Sequence, residues 1–187
     1  MDLSNNIGGG GAAIPCFLKG TKIQIDQSIS APVEHLEAGQ FILTADGYKC
    51  LRWLAHVFMS YEELLFFPEH LPIVFELYSL TSNTPNEQLI LSPNHFLLVD
   101  SKLVSAGSLV NGNGIFQDNI ENYTRGLSYY HLEFDSEVFV FSHGVKSTSF
   151  LDIGNSSLFD NVEERPLDLA SLRSSDLLTA LEESLPS

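Results

Sequence analysis

Cysteine is scarce: Cys16 and Cys50 are the only two in 187 residues, so neither a disulfide framework nor a cysteine-rich metal centre can be built. A single bridge between them is the one disulfide open to the chain, and it would silence both thiols. Positive charge is scarce too, with nine Lys and Arg against 24 Asp and Glu and a net charge of −15. Such a surface repels phosphate backbones and anionic headgroups, which argues against nucleic acid and membrane surfaces as partners. No apolar run approaches the roughly 20 residues that cross a bilayer, and no basic stretch leads into an apolar one at the N-terminus. Without a signal peptide or membrane span, the expected location is cytoplasmic by default. Zinc-type ligands are scattered, and no Lys-Ser/Thr pair follows the Gly8 to Gly11 run at phosphate-loop spacing, so no metal and no cofactor is expected.

What the chain does have is apolar residues, 44% of the total, enough for one sizeable core. Residues 1–15 read as a flexible glycine-rich leader, residues 16–160 as the domain, and residues 161–187 as an acidic C-terminal helix or tail. In that last segment Leu177, Leu178, Leu181 and Leu185 recur at helical spacing, which fits an amphipathic helix seeking a protein partner as well as it fits a partly ordered tail. Between the ends, short alternating runs are separated by turn residues. Gln40 to Thr44 precedes an Asp46-Gly47 hairpin turn, Phe96 to Val99 precedes Asp100-Ser101, and Tyr129 to Phe134 precedes Asp135-Ser136. Tyr61 to Phe67 reads as a short helix or an apolar loop, which Pro68 stops. Many short strands with almost no long helical periodicity predict an all-β fold of coiled or closed architecture.

Cys16 stands between the leader and the first strand, where its thiol is tethered beside the carbonyl of Pro15. His95 is the best acid/base candidate, since an imidazole can protonate an amide nitrogen that leaves. Ser92, in the turn Ser92-Pro93-Asn94-His95, offers a hydroxyl to the same peptide. His131, Glu133 and Asp135 alternate, which puts all three on one face if the strand is unbroken. They could coordinate a metal, Asp135 could take a proton from Cys16, or the three could form a solvated face. Cys50 has no acid/base neighbour in sequence and reads as structural.

These residues fall within blocks that resemble the bacterial branch of the Hedgehog/intein superfamily, the Hint domain. The resemblance runs from Cys16 to about Phe159. It opens with C-F-L-K-G-T-K-I, continues through P-V-E-H-L-E-A-G-Q-F-I-L-T-A-D-G with Gln40 where aspartate is usual, and includes the Arg-Trp pair of L-R-W-L. L-I-L-S-P-N-H-F-L-L-V resembles the family's Thr/Ser-x-x-His element, then S-A-G-S-L-V-N-G, Y-Y-H-L-E-F-D-S-E-V and S-T-S-F-L-D-I-G-N-S follow in order.

The resemblance implies a self-processing fold of coiled short strands. It implies that Cys16 is the nucleophile of an N-to-S acyl shift at Pro15–Cys16, that Ser92 and His95 activate that bond, and that Asp135 is the nearest match to the late acidic residue. His131, Glu133 and His143 are auxiliary candidates. The substrate is then the chain's own N-terminal flank, and an external thiol, water or alcohol takes the acyl group. Full splicing is not expected, because no His-Asn pair exists: His143 is followed by glycine. Glu137 stands where the branch usually has a second histidine. Pro15, with its tertiary amide and fixed ring, is expected to restrict the geometry of the shift. The alternative is a catalytically inactive Hint-fold module with a structural or protein-interaction role.

Overall fold

Turn chemistry cuts the chain into strands of two to seven residues, and their pairing carries the first one into the middle of a sheet. The computed structural model describes residues 15–149 and 156–166. Residues 1–14 of the leader and residues 167–187 of the C-terminal helix or tail lie outside the described residues. The strands are β1 (Phe17–Leu18), β2 (Lys22–Gln24), β3 (Ser30–Pro32), β4 (Phe41–Thr44), β5 (Gly47–Cys50) and β6 (Trp53–Met59). After α1 (Tyr61–Phe66) come β7 (Ile73–Phe75), β8 (Leu89–Leu91), β9 (Phe96–Val99), β10 (Lys102–Ser105), β11 (Ile115–Gln117), β12 (Leu127–Glu133), β13 (Phe139–Ser142) and β14 (Val145–Thr148). The expected mostly β fold of short strands is the fold observed. Among the described residues no helix is long and apolar enough to cross a membrane.

Individual elements follow from local chemistry. The β4–β5 hairpin turns at Asp46-Gly47, where Gly47 takes φ +88°, a conformation that costs a side-chain-bearing residue energy. The ambiguous Tyr61 to Phe67 segment is helical because Ser60 caps it: its hydroxyl accepts from the Glu63 N–H at 3.2 Å, and the Glu63 carboxylate accepts from the Ser60 N–H at 2.7 Å. Pro68 then starts a separate 3-10 turn, Pro68–His70. β7 stops at Phe75, and the chain then turns at Tyr78, φ 59°.

Two sheets form. One has the order β11-β7-β8-β1-β12-β6; the other runs β10-β9-β14-β13-β2-β3, with β4 on β13 and β5 on β4. β1 is therefore an interior strand, and its alternation serves two apolar clusters. Phe17 is buried among Ile23, Leu91, Leu97 and Leu132, while Cys16 sits with Trp53, Leu64, Leu71, Tyr129 and Phe159, with Leu18 packed against that second group. The nucleophile candidate is thus in the interior of the protein and not on a surface loop.

Candidate active site

Register does the assembly. Phe17 pairs antiparallel with Leu91 on one side and with Tyr130 on the other, so Cys16, one residue earlier, falls level with Ser92 and with His131. The backbone confirms the first of these: Ser92 N–H donates to the Cys16 carbonyl at 2.9 Å. In return the Cys16 N–H, which belongs to the Pro15–Cys16 peptide, donates to the Ser92 hydroxyl at 2.7 Å. That bond corrects the expectation attached to Pro15. The tertiary amide of a proline is the bond before it, Ile14–Pro15, so the candidate scissile peptide keeps its N–H and uses it.

His95 is delivered by the same turn. Its N–H donates to the Ser92 carbonyl at 3.1 Å, and the turn is locked from outside by Ala106 N–H on the His95 carbonyl and Gly107 N–H on the Pro93 carbonyl, both at 2.8 Å. Gly107 permits that approach, because a Cβ there would lie 3.2 Å from the Pro93 oxygen. The His95 ring is fully buried and packs on Phe17 with centroids 4.4 Å apart; the His131 ring lies 5.5 Å from His95 and 6.2 Å from Phe17, so the three rings form a triangle. Neither nitrogen of the His95 ring makes a hydrogen bond of standard geometry among the described residues. Burial, and then the neighbouring His131, hold its pKa well below the usual imidazole value, while the nearby Cys16 backbone pulls weakly the other way. Burial lowers His131 to about 3, opposed by the Ser149 backbone. Both rings are neutral at pH 7, each with one nitrogen that can donate and one that can accept.

The thiol has an apolar setting. Cys16 is 1% exposed, and burial pushes its pKa well above the ordinary thiol value. Tyr129, in the same cluster, donates its hydroxyl to the His70 carbonyl at 2.9 Å, and its pKa is raised by burial and then by Cys16. Sequence reasoning passed over Tyr129, because a tyrosine in an apolar strand carries no chemical signature of its own.

The alternating triplet does not act together. β12 ends at Glu133, so the strand periodicity that would have placed Asp135 beside the other two stops before it. Asp135 lies in the following turn, its side chain 83% exposed and 3.3 Å from the Arg52 Nε. Glu133 is buried and paired with Arg165, Nε to Oε2 at 2.6 Å and Nη2 to Oε1 at 3.0 Å. His131, Glu133 and Asp135 thus point to three different environments, and among the described residues no group of three His, Cys, Asp or Glu could hold a metal ion. His143 stands at the β13–β14 turn with φ 49°, where its Nε2 accepts from the Lys22 N–H at 3.1 Å and its Nδ1 lies 3.9 Å from Glu87. Asp135 is also not brought into the buried cluster around Cys16. Asp135→Asn is expected to change stability by less than about 0.5 kcal/mol, as for an exposed ion pair, and to leave any Cys16 chemistry untouched. Urea unfolding and cleavage assays on the variant check both.

Phe159, Asp160, Asn161 and Arg165 are the other participants that sequence reasoning missed. A signal existed: Phe159 is an isolated aromatic in a polar run, and Arg165 is the only basic residue between Phe150 and Leu172.

A family model described as Hint domain matches residues 15–154. Among solved structures, the crystal structure of the gp41-1 intein is similar at 10% identity and a TM-score of 0.49, over 71% of this chain and 97% of that one. No curated protein matches the chain.

Proposed function

Because the chain belongs to the Hint domain family, whose members act on their own flanking sequence, we propose that it breaks its own backbone at Pro15–Cys16 through a thioester, without splicing. The observation that carries this reading is the Cys16 N–H on the Ser92 hydroxyl at 2.7 Å, with His95 presented by the same turn. The Cys16 Sγ attacks the Pro15 carbonyl carbon. An S–C bond forms, the C–N bond breaks, and the thiol proton ends on the Cys16 amine, so the step is an isomerisation needing no co-reactant. Ser92 fixes the rotation of the peptide through its N–H. His95, neutral and buried beside the Cys16 backbone, takes the thiol proton and protonates the departing nitrogen. Water or an external thiol or alcohol then attacks the thioester carbonyl, taking the acyl group and returning the Cys16 thiol. His131 buttresses the His95 ring, and Asp135 and His143 have no role in either step.

Burial of the thiol is the observation that favours the second reading, an inactive Hint-fold interaction module. Intact-mass measurement of the purified chain incubated with hydroxylamine or dithiothreitol decides between them. Loss of residues 1–15 from the original chain but not from Cys16→Ala is the expected result. An unchanged mass in a chain shown to be folded overturns self-cleavage and leaves the interaction module.

A further inference from the structure

Residues 156–166 lie beyond the matched family region, yet one of them, Phe159, is packed in the same buried cluster as Cys16. Among the described residues β6 is the last strand of its sheet, so one of its edges has backbone groups without a strand partner there. Two side chains and one amide supply what a strand would. Asp160 N–H donates to the His56 carbonyl at 2.8 Å, and the Asp160 carboxylate accepts from the Phe58 N–H at 2.7 Å. The Asn161 side chain accepts from the His56 N–H and donates to the Leu54 carbonyl, both at 2.9 Å. The segment ends on Arg165, bidentate on Glu133 and set over the Trp53 ring at 5.8 Å. Between these two anchors Phe159 is 3% exposed, edge-on to Trp53 at 5.4 Å, in the same buried cluster as Cys16.

We infer that residues 159–165 are a strap that closes the Cys16 pocket, with Phe159 as its plug and Arg165 as its latch, and that the strap determines which acceptors reach the acyl group. A pocket closed this way keeps outside thiols and alcohols from the Cys16 sulfur until Phe159 leaves its seat. The consequence for acceptor choice rests on the acyl shift proposed above, but the closure is a property of the thiol alone and is measurable in a chain that never cleaves.

The test uses the full chain carrying Cys50→Ser, in which Cys16 is the sole thiol. Its alkylation by iodoacetamide at pH 8.5 is followed by intact mass at several urea concentrations below the unfolding transition. Phe159→Ala and Arg165→Ala are each expected to speed labelling about tenfold or more, with only a weak dependence on urea, because releasing a short strap exposes little surface. Arg165→Lys keeps the charge without the fork and is expected to fall in between. Unchanged rates in both alanine variants overturn the strap, as does faster labelling with the full urea dependence of global unfolding. Faster, urea-insensitive labelling in variants that never lose residues 1–15 to hydroxylamine upholds the strap while the acyl shift fails.

Discussion

Replacing His95 with alanine is expected to slow thioester formation by about 10²–10⁴-fold, the usual contribution of a positioned acid/base group. The readout is hydroxylamine-dependent release of residues 1–15, followed as a single turnover. Alanine also leaves a cavity beside Phe17, since the His95 ring is fully buried and stacked on it at 4.4 Å. His95→Gln keeps most of the volume and loses the imidazole, so it is expected to retain the fold and lose the rate, which separates chemistry from packing. The pH profile adds a second constraint. Burial holds the Cys16 thiol protonated, and its proton passes through His95 to the departing nitrogen, so the step neither takes up nor releases a proton. His95 stays neutral because burial holds its pKa well below 6.5. The rate is therefore expected to be level from pH 6 to pH 8. A profile that falls as pH drops through 6.5 would show His95 titrating as an ordinary imidazole and would remove it from the role of neutral proton carrier.

Strands, hairpins and the Cys16, Ser92 and His95 trio were legible in the sequence because each rests on short-range chemistry. Asp46-Gly47 is a turn wherever it occurs between apolar runs, and Ser92-Pro93-Asn94-His95 is a tight turn that keeps its first and last residues together. What was not legible depends on where a strand stops. Asp135 shares the parity of His131 and Glu133, but parity places side chains on a common face only while the strand lasts, and β12 ends at Glu133. The Arg52 ion pair that holds Asp135 in solvent joins residues 83 apart in sequence, which no local pattern reveals. Arg165 on Glu133 is the same kind of pairing, 32 residues apart. The misreading of Pro15 had a different origin, in assigning to the bond after proline the tertiary amide that belongs to the bond before it. Family resemblance singled out Cys16 as the nucleophile candidate, yet its desolvated setting with Tyr129 and Phe159 arises from tertiary packing alone.

The two buried imidazoles also predict a steep loss of stability in mild acid. His131 is lowered to about 3 in the folded chain, against an ordinary value of 6.5. As pH falls through 6.5, the unfolded chain binds a proton at this position and the folded chain does not until about pH 3. Stability is therefore complete above pH 6.5 and declines across the window below it, at about 1.4 kcal/mol per pH unit for each such group. For His131 alone the loss by pH 3 reaches about 5 kcal/mol, comparable to the whole stability of a typical domain. His95 acts in the same direction, and His143, lowered mainly by burial, adds a smaller part. Asp26 and Glu87, whose carboxyls are held below their ordinary values by the hydrogen bonds from Tyr48 and Lys22, contribute only further into acid. Between pH 6 and pH 5 His131 alone is expected to remove about 1.2 kcal/mol, and His95 adds to the loss in the same direction, which urea unfolding at the two pH values measures directly. His131→Gln is expected to lower stability at pH 7 while reducing that slope, since one of the two proton-linked rings is gone. A midpoint that does not move between pH 6 and pH 5 would mean that the rings are charged or solvated in the folded chain. In that case His95 could not serve as the neutral proton carrier between the Cys16 thiol and the departing amine.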